Sequence, residues 1–416
     1  MFIKRDVYLQ RLIGLENNGL IKIVTGLRRC GKSFLLFDLF YPYLLEKGVD
    51  EDHIIHIQLD NEDFNELRNA KSLYTFINDK IKDNNNYYVI IDEIQIVDNF
   101  ENILNNLLCK KNVDIYVTGS NSRFLSKDIV SEFSGRCSEL HILPLSFSEF
   151  YSSYDGSLDN AWTEYCTYGG LPFVLSIKNS GDKINYIQSL FTLTYCRDIA
   201  ERYPLRHKEE FNELIDIVSS LIGSFINPLK LSIAFKKIKN KKISDMTVLK
   251  YLGYLEDTFI ISQAKQYSIK GKRYISTPYK YYFEDIGLRN VRINFRQNEE
   301  DPIMENIVYN ELRYREFSVD VGVVESIERS DEGKRNRKRY AIDFIASKGQ
   351  QKYYIQSVLS MDTPEKCARV KEPFLKVNDY FKRVIIVGGN SKPWVTEEGI
   401  VVVGIQHFLL NDDVLV

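Results

Sequence analysis

Eight residues, Gly26-Leu27-Arg28-Arg29-Cys30-Gly31-Lys32-Ser33, fit the pattern G-x-x-x-x-G-K-[ST]; an apolar run at 20–24 precedes them and a helix-forming stretch opens at Phe34. That context constrains the fold more than anything else in the chain. A buried strand, a glycine-bearing turn whose N–H groups face an anion, and a helix N-terminus together make a phosphate-binding loop. Gly26 and Gly31 allow the tight turn and the close approach of backbone to phosphate. Lys32 is expected to reach the β- and γ-phosphates, and Ser33 to hold Mg2+. The whole segment from Gly26 through Leu27, Arg28, Arg29, Cys30, Gly31, Lys32 and Ser33 to Phe34 is the expected binding element for ATP.

A second element suits hydrolysis. Residues 87–91 are apolar and lead directly into Asp92 and Glu93, which puts two carboxylates at the C-terminal edge of the sheet. Asp92 suits Mg2+, through a water. Glu93 suits the base that polarises the attacking water, since phosphoryl transfer needs positioning more than covalent chemistry. A helix-capping role for the pair is the plainer alternative. A third strand, Val113–Thr118, ends in Gly119-Ser120-Asn121, where Asn121, with Ser120 in reserve, can hold the lytic water or touch the γ-phosphate. A simple turn would use the same residues. A fourth element, Ser134-Gly135-Arg136, stands before the run at 140–143. Arg136 fits either the rim of a neighbouring subunit's site, as a guanidinium that neutralises transition-state charge, or a structural salt bridge. Arg28 and Arg29 are secondary candidates for phosphate or subunit contacts.

Composition sets the outer bounds. The 416 residues suffice for several domains, and 44% hydrophobic with 13% aromatic content supplies real cores. Lys and Arg number 55 against 57 Asp and Glu, so any nucleic-acid surface must be local. The six cysteines form no C-x-x-C pair, which fits reduced thiols better than a zinc or disulfide framework. No charged-then-apolar leader opens the sequence, and no apolar run reaches the length of a membrane span. A soluble cytoplasmic protein without membrane contact is expected, its first fifteen residues an amphipathic helix on the core.

Short apolar strands, at 20–24, 54–59, 87–91, 113–118 and 140–143, alternate with helical segments near 33–47, 71–83, 99–109 and 123–131. The alternation predicts an α/β domain with a largely parallel sheet. Residues 158–204 read as helical. Beyond Pro302 a long helix opens a second α/β-like region, in which the polar stretch 328–339 reads as a solvated loop between strands. His53 and His56 point to opposite faces of a strand and make a poor metal pair.

The string GLRRCGKS, IIDEIQ, VTGSNS, SGR, LPLSFSEF and YGGLPFVL resembles a family of prokaryotic AAA+-related ATPases that carry a C-terminal domain of unknown function with a restriction-endonuclease-like fold. The likeness continues through TYCRDI (194–199), TPYKYYFEDIGLRN (277–290) and MENIVYNELRYREFSVDVG (304–322). It implies an additional-strand P-loop core over 1–157, with strand 113–118 between the phosphate-loop strand and the Asp-Glu strand. A helical lid (158–204), a winged helix (205–285) and the endonuclease-like domain (286–416) would follow.

The middle region is read from its own residues. A first helix at 229–237, a turn at 240–244 and a second helix at 245–255, N-capped by Ser244, make a helix-turn-helix. Segments 260–266 and 274–277 would form its wing. Between 229 and 273 stand eleven Lys or Arg against three Asp or Glu, with KKIKNKK at 236–242. Such a local basic patch points to DNA phosphates, while a protein contact is the alternative. Nucleases of the endonuclease-like fold use a helix Glu, a strand Asp and a Glu-x-Lys to bind metal and activate water. Here Glu305 and Asp343 are present, but Gln356 and Val358 stand where the Glu and Lys would be, and Ala341 replaces an acid. A degenerate nuclease fold kept for interaction, with a protein partner there, is the expectation. Self-association of the chain belongs to the same set of expectations.

Overall fold

The computed structural model describes residues 3–119, 133, 135–195, 199–200, 202–239, 243–296, 299–329 and 335–415, with backbone alone at 193–195, 238–239, 327–329 and 335–337. The chain forms two compact units, Met1–Pro144 with Asp257–Phe259, and Leu145–Glu256 with Ile260–Val416.

The first unit is built on five short parallel strands, β1 (Ile21–Thr25), β2 (Ile54–Gln58), β3 (Tyr87–Asp92), β4 (Val113–Thr118) and β5 (Cys137–His141), in the order β2-β3-β4-β1-β5. The strand β4 lies between β1 and β3, as the family resemblance implies. Strands buried on both faces read as continuous apolar runs, and β1 and β3 are buried at every position. One face carries Ile21, Ile23, Val89, Ile91, Ile115 and Val117, packed on the helices Ala70–Lys80 and Phe100–Leu108 through Leu73, Ile77, Ile103, Leu104 and Leu107. On the opposite face Phe40 lies against Tyr116, with ring centroids 4.6 Å apart. There Lys22 forms a buried ion pair with Asp114, which also accepts from Tyr116 Oη (2.7 Å) and the backbone N–H of Asn17 (2.9 Å). A buried charge is tolerable only with such partners.

The first helix, Asp6–Gly14, was legible from its amphipathic pattern. Residues 32–46 form one continuous helical stretch whose middle, Leu35–Phe40, has π geometry. The helix expected at 123–131 lies outside the described residues. Among the described residues no helix is long and apolar enough to cross a membrane.

The second unit holds helices from Phe147–Ser152 to Lys208–Ser220, then a nine-stranded mixed sheet. Its strands are β6 (Phe225–Ile226), β7 (Ile261–Ser268), β8 (Arg273–Phe283), β9 (Ser318–Arg329), β10 (Arg335–Lys348), β11 (Gln351–Val358), β12 (Lys382–Val387), β13 (Trp394–Val395) and β14 (Val401–Gly404), in the order β13-β14-β12-β11-β10-β9-β7-β8-β6. The hairpin β7-β8 joins the rest through the parallel pairing of β7 with β9 at Gln266, Tyr267 and Ser268. The helix Pro364–Leu375 covers part of one face through Val370 and Phe374. The motifs YGGLPF and FEDIGLRN meet in this unit. Asp285 accepts from Gly170 N (2.8 Å), and Asn290 donates to the carbonyls of Cys166 (2.8 Å) and Thr167 (3.0 Å).

Two expectations need correction. Residues 328–329 and 335–339 are strand, since β9 and β10 pair from Ser318–Ser347 out to Arg329–Arg335, and 330–334 lie outside the described residues. Backbone pairing there extends into charged sequence, beyond the reach of the apolar core that a hydrophobic pattern detects. The second wing strand does not end at 277 but continues to Phe283. Pro278 falls where the β7-β8 register shifts between Ala264 and Gln266, so its missing N–H costs the ladder nothing.

Candidate nucleotide site and a buried carboxylate cluster

The loop after β1 is shaped by three left-handed residues, Gly26 (φ 140°), Arg29 (φ 68°) and Gly31 (φ 103°). A Cβ at Gly26 would stand 2.2 Å from the carbonyl oxygen of Ile142, so only glycine fits. Leu27 and Cys30 turn inward and are fully buried, which anchors the loop while Arg28 and Arg29 face outward. Arg5, buried at the helix Asp6–Gly14, donates to the carbonyls of Cys30 (2.9 Å) and Leu143 (2.7 Å), tying the loop to the segment after β5. Tyr8 Oη accepts from Leu143 N at 3.0 Å. No motif pointed to Arg5, because its role depends on contacts 25 and 138 residues away.

Lys32 is buried, and its ammonium group donates to the carbonyls of Gly26 (3.0 Å) and Leu27 (3.1 Å), inside the curl of the loop. The hydroxyl of Ser33 lies close enough to the Asp92 carboxylate to favour its charged form, bringing the two expected Mg2+ ligands together. Thr118, the last residue of β4, completes the arrangement. Its hydroxyl donates to Asp92 and accepts from the N–H of Glu93 at 3.0 Å. Burial pushes the Asp92 carboxyl above its ordinary range, opposed by the hydroxyls of Thr118 and Ser33 and reinforced by Glu93 and Asp60. A divalent cation held there would reverse that trend, so the donor set, one hydroxyl beside one carboxylate, fits Mg2+. Glu93 is half-buried in the left-handed region (φ 51°), and its carboxylate accepts from the side-chain amide of Gln95. Thr118 and Gln95 are the residues that sequence reasoning passed over; a hydroxyl closing the strand beside β3 was the available signal for the first.

Ser120, Asn121 and Ser134 lie outside the described residues. Arg136 is exposed at the start of β5, where its carbonyl accepts from Ile21 N (2.9 Å) and its guanidinium donates to Asn105 (3.3 Å). Ile21 opens β1, and the phosphate loop follows the other end of that strand. At ~3.3 Å per residue, the five residues of β1 separate Arg136 from its own loop by about 16 Å.

In the second unit, the helices Pro228–Lys239 and Asp245–Asp257 precede the β7-β8 hairpin, and Ser244 caps the second by accepting from Thr247 N (3.1 Å). Lys230, Lys236, Lys237 and Lys250 are exposed, as are Lys270, Lys272 and Arg273 at the hairpin turn. Lys241 and Lys242 lie outside the described residues.

Glu305, on the helix Glu300–Tyr314, and Asp343, on β10, do converge. Between them stands the ammonium group of Lys280, from β8, 2.8 Å from Glu305 Oε1 and 3.3 Å from Asp343 Oδ1. Tyr282 Oη donates to the same Glu305 oxygen (2.5 Å), and Ser357 N donates to Asp343 Oδ2 (3.0 Å). Gln356 Oε1 accepts from Asp343 N at 3.2 Å. By sequence, the charged run 334–339 is the nearest source of a compensating lysine, whereas the cation in contact comes from a strand 63 residues before Asp343.

Comparison with known proteins adds the following. The model of an AAA domain matches residues 18–151, and that of a domain of unknown function (DUF8612) matches 159–299. An uncharacterized protein of Haemophilus influenzae is 32% identical over 98% of this chain and 99% of its own length. An uncharacterized protein of Methanocaldococcus jannaschii is 29% identical over 84% of this chain and 77% of its own. Among solved structures, the Walker-type ATPase PABY2304 of Pyrococcus abyssi aligns with a TM-score of 0.47 and 16% identity, covering 70% of this chain and 96% of that one.

Proposed function

The chain belongs to the family of the uncharacterized Haemophilus influenzae protein and carries an AAA-type nucleotide-binding domain, and from this we propose that it is an Mg2+-dependent ATPase that couples nucleotide state to DNA. One observation carries the reading: Lys32 and Ser33 of the loop stand at the same edge of the sheet as Asp92 and Glu93, which the Thr118 hydroxyl bridges.

In this reading the loop amides of residues 27 to 33 cradle the phosphates, and Lys32 exchanges its two carbonyl partners for phosphate oxygens. Ser33 and Asp92 would hold Mg2+, which when bound neutralises charge on the phosphate oxygens. Glu93, oriented by Gln95, accepts a proton from the attacking water. Asn121, with Ser120 in reserve, orients that water, and Arg136 serves a neighbouring chain's site; a structural role for Arg136 remains the alternative. Residues 1–157 form the ATPase core, 158–204 its lid, 205–285 a winged helix that meets DNA phosphates through its lysines, and 286–416 a degenerate endonuclease-like domain. The location that suits it is the cytoplasm.

A second reading, a nucleotide-controlled scaffold for a protein partner at the C-terminal region, is favoured by exposed Tyr380, Trp394 and Val395. ATP hydrolysis measured with and without duplex DNA separates the two, because only the first expects stimulation. Glu93→Gln should keep ATP bound while slowing phosphate release, and Lys32→Ala should weaken ATP binding itself. Wild-type turnover by Glu93→Gln would sink the catalytic assignment.

A further inference from the structure

We propose that Lys280 is a built-in cation: its ammonium group takes the place between Glu305 and Asp343 that a divalent metal would need, so this pocket is a closed charge cross-link that binds no metal. The geometry carries the inference. A cation pocket requires carboxylate oxygens turned toward an open centre. Here the centre is filled, with Lys280 5% exposed and at 2.8 and 3.3 Å from the two carboxylates. Neighbouring groups hold the same two carboxylates in place. Glu305 Oε1 also accepts from Tyr282, Asp343 Oδ2 accepts from Ser357 N, and Gln356 Oε1 accepts from Asp343 N. Among the described residues no group of three or more His, Cys, Asp or Glu could hold a metal ion.

The charges agree with a single positive centre. Although burial by itself would lower it, the Lys280 ammonium is held above its ordinary value by the two carboxylates. Burial raises the Glu305 carboxyl to about 7, against the pull of Lys280. A divalent ion entering this space would meet a buried ammonium group at contact distance, with the ring of Phe225 5.6 Å from its Nζ and Gly223 packed on Glu305. The cross-link therefore joins β8, the helix Glu300–Tyr314 and β10, three elements far apart in sequence, without any cofactor.

The experiment uses the full chain without nucleotide and Mn2+ as the probe, followed by electron paramagnetic resonance and by thermal melting. Wild type and Asp343→Asn should bind the same amount of Mn2+. Lys280→Ala should gain a saturable Mn2+ site that disappears again in Lys280→Ala with Asp343→Asn, and Mn2+ should raise the melting temperature of Lys280→Ala by several degrees while leaving wild type unmoved. Wild-type Mn2+ binding that Asp343→Asn abolishes would overturn the proposal, as would a folded Lys280→Ala that gains no site. The wild-type comparison needs no substitution at Lys280, so it decides even where that variant does not fold.

Discussion

Thr118 is the residue on which the two halves of the nucleotide site depend, since its one hydroxyl serves both Asp92 and the backbone of Glu93. Thr118→Val keeps the shape and removes both bonds, leaving a buried N–H and a buried carboxylate short of a partner. We expect a loss of about 1–3 kcal/mol in unfolding free energy, and a fall in kcat larger than any rise in KM, because Glu93 loses its alignment. Urea titration and steady-state hydrolysis together check this; unchanged kcat would show that Thr118 only supports the fold. Asp285 supplies a second case at this scale. Burial raises its carboxyl to about 6, although backbone N–H groups of Gly170 and Leu288 pull the other way. A folded-state value above the unfolded one, near 4, means that the fold favours the protonated form. Its contribution is thus complete below about pH 4 and is lost as pH rises through about 6. Relative to Asp285→Asn, wild type should gain roughly 2–3 kcal/mol between pH 7 and pH 4. Denaturant unfolding of both proteins at those two pH values reads the difference directly, and parallel curves would refute it.

Elements were legible where burial was complete on both faces. The runs that became β1, β3 and β4 were recognisable within a residue, because a strand covered on both sides is mostly apolar, and the buried Lys22 of β1 and Asp114 of β4 pair with each other. The edge strand β5 was placed too late, at 140–143, since Cys137–His141 is half-exposed and carries polar residues that mask it. Lys280 was invisible for a different reason. Its partners are set by the β7-β8 hairpin pairing beside β9, and no local pattern encodes that arrangement. At this scale the lysines of the helix Pro228–Lys239 and the turn after it carry a prediction. Exposed Lys236 and Lys237, neutralised together with Lys239, Lys241 and Lys242, should weaken duplex binding for all sequences alike and flatten its salt dependence, by about one unit of log-log slope for each phosphate that is no longer neutralised. Fluorescence anisotropy across a salt series tests it, and an unchanged slope would favour the protein-partner reading.

At the scale of the whole molecule, the parallel sheet itself limits how Arg136 can act. Every strand of the first sheet runs the same way, so loops leaving strand ends and loops entering strand starts occupy opposite edges. The phosphate loop leaves the end of β1, and Arg136 enters the start of β5 about 16 Å away. A catalytic role for Arg136 must therefore be played in another copy of the chain, and such a role makes turnover a property of the assembly. Specific activity should then rise with protein concentration, and Arg136→Ala should lose on the order of 10³-fold in rate with ATP affinity retained. Mixing provides the stricter check. An Arg136→Ala chain keeps an intact phosphate loop but offers no guanidinium, whereas a Lys32→Ala chain offers the guanidinium but cannot hold the phosphates. Each is inactive by itself, yet in mixed oligomers the second can complete the site of the first, so part of the activity should return on mixing. A monomer that turns over ATP at a concentration-independent rate, or a mixture no more active than its components, would leave Arg136 with a structural role at the edge of the sheet, where it bonds Asn105 and Ile21.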